Sequence, residues 1–185
     1  MSDKEKTENE PFSWKAEIIS WIQIIVAAVA IAFVLNNFVI ANSRAPTGSM
    51  IPTIMAKTRV IGSRLSYINS DPERGDVVIF HFPDDPTGKI YYVKRVIGLP
   101  GETVSVVDGK VYINDSDTPL DEPYLPEPME GSYGPYTVPE GCYFMMGDNR
   151  NNSLDARFWK NQFVEKDKII AKVLFTYFPK IEKVE

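Results

Sequence analysis

The longest apolar stretch of the chain lies near its N-terminus. No charged residue appears from Ile18 to Ser43, and the segment Ile18–Ile40 is rich in Ile, Val, Ala and Phe. A bilayer core of about 30 Å needs about 20 helical residues, so this segment is long enough to span it. It is too long for the apolar core of a cleaved signal peptide and lacks the polar face of a soluble helix. The pattern predicts one transmembrane helix over 18–40, after a short polar tail over 1–17.

Beyond this segment the helical period disappears, and short runs rich in Val, Ile, Tyr and Phe follow, separated by Pro, Gly and Asp. These runs are Arg59–Leu65, Asp76–Phe82, Ile90–Ile97, Thr103–Val107, Lys110–Asn114, Cys142–Met146 and Ile169–Phe178. Asp108-Gly109 suits the type I′ turn of a tight hairpin. Six prolines between residues 115 and 140 indicate an irregular, extended excursion, because proline cannot donate to a central strand ladder. We therefore predict a mostly β, antiparallel domain over 41–185.

Composition and charge narrow the possible functions. The formal net charge is −5 and no basic block is present, which argues against a nucleic-acid partner. The single cysteine, Cys142, rules out an internal disulfide, and we expect it to be a buried, inert thiol. With only one histidine, His81, a His/Cys metal site is not expected, and we expect no cofactor. Basic residues flank the apolar segment almost equally, so charge alone leaves its orientation open.

The stretch Ala45–Thr53, between the apolar segment and the first β-like run, contains two prolines and a glycine and presents Thr47 and Ser49. Taken alone, such a composition is typical of a linker. It is also typical of a shaped turn that another backbone can approach closely.

Two further clusters contain residues that could act chemically. Lys94 and Arg95 lie inside a predicted strand, where alternation sends them to opposite faces. The usual interpretation is a solvated edge-strand lysine. A buried lysine would instead have a lowered pKa and could act as a general base. The polar stretch Gly147–Arg157 alternates in charge, which indicates either a surface loop of ion pairs or arginine–carboxylate pairs that support a site, with Ser153 within reach of the lysine.

Four segments together carry a resemblance to a known family. They are Pro46–Thr53, Arg74–Val78, Tyr92–Gly101 and Gly147–Ser153. With the apolar segment before them, the chain resembles the type I signal peptidases of bacteria in their compact, single-anchor form. The resemblance implies a membrane-bound serine endopeptidase that removes signal peptides from exported preproteins after a small-x-small motif, with its catalytic domain on the extracytoplasmic face.

The resemblance also implies a role for each matching residue. Ser49 would be the nucleophile and Lys94 its general base. The Thr47 hydroxyl and the Ser49 N–H would hold the oxyanion, and Ser153 would position the lysine. The remaining implied residues are the supporting pairs Arg95–Asp148 and Asp155–Arg157, and Met50 and Tyr92 in shallow substrate pockets.

Other hypotheses remain at this point. His81 could serve as a base for Ser49, although no Asp-His-Ser arrangement is discernible. The same fold and dyad could act on another substrate, as in self-cleaving repressors, which are soluble and carry a DNA-binding module that is absent here. The domain could also be a tethered binding module with no enzymatic activity.

Overall fold

The structure is a computed structural model that describes residues 13–184, so most of the predicted polar tail lies outside the described residues. The chain divides into two compact units, with the boundary between Leu35 and Asn36. In the first unit, helix α1 runs over Trp14–Val34, and a π-helical turn, Leu35–Val39, follows it across the boundary in the sequence. Every described side chain of α1 is exposed. Among the described residues, Trp14–Val39 is the one helical segment long and apolar enough to cross a membrane.

The second unit is built on an eight-stranded antiparallel sheet. Seven strands follow the spatial order β1-β2-β10-β3-β4-β8-β9, and β11 pairs with β10. Their bounds are β1 (Ile40–Ala45), β2 (Thr58–Ser63), β3 (Val77–His81), β4 (Tyr91–Gly98), β8 (Cys142–Met146), β9 (Phe163–Glu165), β10 (Ile169–Phe178) and β11 (Glu182–Lys183). The predicted antiparallel β architecture is therefore confirmed.

A second, three-stranded sheet has the order β6-β5-β7. Its strands are β5 (Thr103–Val107), β6 (Lys110–Ile113) and β7 (Tyr133–Thr137). Asp108 and Gly109 both have positive φ, 48° and 76°, as a type I′ turn requires. Strand β7 lies within the proline-rich excursion and was not predicted. It occupies an edge of the small sheet, where Pro135 has no central ladder position to disrupt.

Alternating side chains of the main sheet pack into two separate hydrophobic cores, one on each face. Val78 and Phe80 belong to one buried cluster, whereas Val77 and Ile79, their neighbours on β3, belong to the other. Because each face of the sheet is covered, strand β4 is buried along most of its length. Its two basic residues are therefore drawn into the interior, one on each face.

Strand β4 is paired on both sides over only part of its length. Strand β3 pairs with it from Tyr91 to Arg95, whereas the β8 register begins at Arg95 and continues toward Gly98. The second edge of the segment preceding Arg95 is consequently not covered by β8. This segment forms one wall of the cavity described below.

Candidate active site

A cavity of about 330 Å³ brings the predicted serine and lysine together. It is lined by the serine loop (Pro46–Thr53), the last two residues of β1, the start of β4 and part of the polar loop (Gly147–Arg157). Ser49, Lys94 and Thr47 lie in its wall, as do Met50 and Tyr92, the two residues predicted to line a substrate pocket. Its lining is mostly apolar, so a charge within it is poorly solvated.

The serine loop is held against the polar loop by its backbone. The Asn149 N–H donates to the Ser49 carbonyl at 3.0 Å, and Asn149 Nδ2 donates to the Gly48 carbonyl at 3.0 Å. Within the loop, Thr47 Oγ1 donates to Ser49 Oγ at 3.3 Å. These contacts orient the Ser49 hydroxyl toward Thr47. Sequence reasoning did not single out Asn149, whose role depends on the approach of two distant loops.

Lys94 is buried, with 3% of its surface exposed. Its Nζ donates to Ser153 Oγ at 3.1 Å, the partner predicted for it. Within residues 13–184 the amine makes no hydrogen bond to Ser49 Oγ, although both line the same cavity. Burial lowers the pKa of Lys94 from 10.5 to about 8, against the opposing effect of Asp155 and Asp148. The neutral amine is therefore accessible near physiological pH.

Arg95 and Asp148 form a buried bidentate pair. Arg95 Nε and Nη2 donate to the two Asp148 oxygens at 2.9 and 2.7 Å, and Nη1 donates to the Gly75 carbonyl at 2.7 Å. Thr53 Oγ1 also donates to Asp148, at 2.5 Å. This pair ties β4 to the polar loop and, through Thr53, to the serine loop, because all three segments share one carboxylate.

Asp155 and Arg157 form the second predicted pair. Arg157 Nε and Nη2 donate to the Asp155 oxygens at 2.8 and 3.0 Å. The Gly147 N–H donates to Asp155 at 3.0 Å, and Arg157 Nη2 reaches the Arg150 carbonyl at 2.6 Å. Asp155 therefore joins Gly147 at the start of the polar loop to Arg157 at its end, and Ser153 lies between these two residues in the loop.

Gly147 lies where the serine loop, Ser153 and the polar loop converge. A Cβ at this position would come within 2.4 Å of the Ser49 carbonyl oxygen and 2.2 Å of Ser153 Oγ. Neither distance is compatible with a side chain. The Ser49 carbonyl oxygen belongs to the backbone, so it cannot move aside as a flexible side chain could. Glycine is thus required by close approach, and no local sequence signal distinguishes it from a turn glycine.

His81, the alternative base, and Cys142, which was expected to be inert, both lie outside the cavity that contains Ser49. His81 Nδ1 is 2.7 Å from the Gly88 carbonyl in the hairpin loop after β3, and it lines a different cavity from Ser49. Cys142 is half-buried rather than fully buried, and burial raises the pKa of its thiol, which disfavours the thiolate. In the described part of the chain, no group of three or more His, Cys, Asp or Glu could hold a metal ion.

Comparison with known proteins identifies the family. A family model described as "Signal peptidase, peptidase S26" matches residues 18–178. Over 166 residues the chain is 37% identical to "Probable signal peptidase I-2" of Synechocystis sp., covering 86% of this chain and 74% of that protein. It is 35% identical to "Signal peptidase I S" of Bacillus subtilis, covering 93% and 95%.

A solved structure of a signal peptidase I from Enterococcus faecalis is 33% identical, with a TM-score of 0.46, covering 56% of this chain and 97% of that one. The family match spans both the apolar helix and most of the β domain. The chain belongs to the signal peptidase I family, serine peptidases that remove signal peptides.

Proposed function

We propose that the enzyme cleaves signal peptides with a Ser49–Lys94 dyad. The observation that carries this proposal is a lysine 3% exposed in the wall of the cavity that contains Ser49, with its pKa lowered to about 8. A serine hydroxyl needs a base to become a useful nucleophile, and a neutral amine can supply one. Besides Lys94, the ionisable side chains in the cavity wall are Arg44, Tyr91 and Tyr92, so Lys94 is the one amine among them.

The reaction proceeds by acyl transfer in two stages. Lys94 Nζ takes the Ser49 hydroxyl proton as Oγ forms a bond to the scissile carbonyl carbon. The same proton then passes from the lysine to the leaving amine as the C–N bond breaks. In the second stage Lys94 removes a proton from water, which attacks the ester and releases the acid product with the Ser49 hydroxyl restored.

Thr47 and the Ser49 N–H would stabilise the oxyanion. In the resting site the Thr47 hydroxyl donates to Ser49 Oγ, so it already points at the reacting oxygen. In the proposed mechanism this hydroxyl would donate to the developing charge instead. One such donor typically contributes a factor of about 10²–10³ to kcat.

The substrate would bind as an added strand along the open edge of β4. The β8 register begins at Arg95, so the backbone groups of the preceding segment that face away from β3 are available to a peptide. Met50 and Tyr92 line the cavity beside this edge. In this proposal, the small side chains of a small-x-small motif would occupy this cavity of about 330 Å³.

We also propose that α1 and the turn after it anchor the enzyme in a bilayer, with the β domain on the extracytoplasmic face. The segment Trp14–Val39 is long and apolar enough to span a bilayer. The orientation is supported by the substrate class, because the cleavage site of an exported preprotein emerges on that side. Anchoring would confine enzyme and substrate to one surface and raise their effective concentration.

The test is kinetic, on the full chain in detergent micelles with a peptide containing Ala-x-Ala. Ser49→Ala and Lys94→Ala are each expected to abolish cleavage, and His81→Gln to leave it nearly unchanged. In the wild type, kcat/KM should rise with pH and level off above an apparent pKa near 8, where the Lys94 amine becomes neutral. Cleavage retained by Lys94→Ala would refute the dyad.

A further inference from the structure

The segment Glu122–Tyr133, here called the strap, lies within the proline-rich excursion and contacts the polar loop at several points. The polar loop is Gly147–Arg157, which carries Ser153, the partner of Lys94. The chemistry proposed above uses no residue of the strap. Its buried charged contacts are nevertheless too specific for a segment that only covers apolar surface.

The first contact is a buried ion pair between Glu122 and Arg150. Their side chains are 6% and 1% exposed, and the two terminal guanidinium nitrogens of Arg150 donate to the carboxylate, Nη2 to Oε1 and Nη1 to Oε2 at 2.9 Å. Arg150 Nε donates to the Gly147 carbonyl at 3.0 Å. The strap is therefore attached near the start of the polar loop through the buried side chain of Arg150.

The second contact joins the same carboxylate to β4. The Tyr124 hydroxyl donates to Glu122 at 2.7 Å, and the Tyr124 ring lies 3.9 Å from Arg95 Cζ. Stacking of a guanidinium on an aromatic face is attractive and geometrically restrictive. Glu122 and Tyr124 thus link the loop containing Ser153 to the strand containing Lys94.

The third contact holds the end of the polar loop. Arg157 Nη1 lies 3.1 Å from Met129 Sδ, and its guanidinium lies 5.1 Å from the Tyr133 ring centre. Asn151 contributes further, accepting from the Glu130 N–H at 2.9 Å. Ser153 is therefore located between two points of attachment to the strap.

We propose that Glu122 and Tyr124 are positioning residues for catalysis, acting through Arg150 and Arg95 to fix the distance between Ser153 and the Lys94 amine. This inference rests on the proposed function, because it assigns the strap to the same dyad. A purely structural role would lower the free energy of unfolding and leave the chemistry of the folded enzyme unchanged. A positioning role changes the rate and the lysine environment in protein that is still folded.

The test compares Glu122→Gln with Asp121→Asn, a matched control that removes the same charge from the exposed neighbour of Glu122. Both are made in the full chain and assayed in detergent micelles with an Ala-x-Ala peptide. We expect Glu122→Gln to lower kcat about tenfold to a hundredfold with KM changed by less than about twofold. Asp121→Asn should match the wild type. Tyr124→Phe, which retains the ring and loses the hydroxyl, should give a smaller loss than Tyr124→Ala.

A second readout follows the lysine itself and needs no catalysis. In a Ser49→Ala background, competitive acetylation with trace acetic anhydride, read by mass spectrometry across pH 6–11, reports the titration of Lys94. The charged groups facing it are Asp155 and Asp148, which raise its pKa, and Arg157, which lowers it, while burial has the largest effect. A loosened loop admits water, so Glu122→Gln should shift the Lys94 titration upward from about 8, by about one unit.

The double variant Glu122→Gln/Arg150→Gln separates folding from positioning. It leaves no uncompensated buried charge, so thermal stability should recover relative to Glu122→Gln alone. We expect kcat to stay low, because this variant lacks the Glu122 carboxylate and also loses the Arg150 hydrogen bond to the Gly147 carbonyl. If this variant is folded and has wild-type kcat and Lys94 titration, the inference is overturned. If Ser49→Ala cleaves the peptide, the proposed dyad fails instead, and the acetylation result alone decides the role of the strap.

Discussion

Replacing Lys94 by methionine removes a buried cation and should make the protein more stable and inactive at the same time. Burial lowers the pKa of Lys94 from 10.5 to about 8 in the folded state. At 1.36 kcal/mol per unit, the protonated amine costs the fold about 3 kcal/mol. Losing the hydrogen bond to Ser153 offsets about 1 kcal/mol of the gain. We therefore expect Lys94→Met to raise the free energy of unfolding by about 2 kcal/mol at pH 7.

The difference in free energy of unfolding between Lys94→Met and the wild type should depend on pH. Between pH 8 and 10.5 the unfolded chain binds the Lys94 proton more tightly than the folded protein, so wild-type stability rises with pH across that window. The methionine variant lacks this slope. Its advantage should be full below pH 8, disappear between pH 8 and 10.5, and become a deficit of about 1 kcal/mol above that window, because the hydrogen bond to Ser153 is still missing.

Urea unfolding of the full chain in micelles, followed by fluorescence of the buried Trp159, would measure the difference at several pH values. Lys110→Met, at an exposed lysine, is the matched control and should show no such pH-dependent gap. A Lys94→Met variant that is less stable than wild type at pH 7, or a gap that does not change with pH, would refute the reasoning.

Three other changes test the surrounding site. Gly147→Ala places a Cβ 2.4 Å from the Ser49 carbonyl and 2.2 Å from Ser153 Oγ, so we expect peptide cleavage to fall at least about a hundredfold; near-normal kcat would contradict this close approach. Asp148→Asn leaves a buried guanidinium without its anion and should lower the free energy of unfolding by about 3–5 kcal/mol in urea titrations, and a loss below about 1 kcal/mol would count against it. Thr47→Val should lower kcat by about 10²–10³ with KM little changed, whereas Thr47→Ser should retain activity; equal rates for the two variants would exclude the hydroxyl from the oxyanion site.

Local patterns in the chain predicted most of the architecture. Runs of β-branched and aromatic residues marked seven of the strands, because a strand buried on one or both faces requires those side chains. Asp108-Gly109 predicted its hairpin, since a type I′ turn needs residues that tolerate positive φ. Of the eleven strands within residues 13–184, four were not predicted: β1, β7, β9 and β11. Strand β7 contains a proline, β9 and β11 are only three and two residues long, and β1 begins at the last residue of the predicted apolar helix, so none of them gives a clear alternating signal.

The sequence by itself determined the class of protein and the identities of the groups that could react, because four ordered motifs and one long apolar segment need no three-dimensional information. Only the tertiary structure decided how those groups are solvated and supported. The lowered pKa of Lys94 arises from its burial in the wall of the Ser49 cavity, and the ion pair between Glu122 and Arg150 joins positions 28 residues apart. Contacts of this kind depend on which segments the fold brings together, and local periodicity contains no information about them.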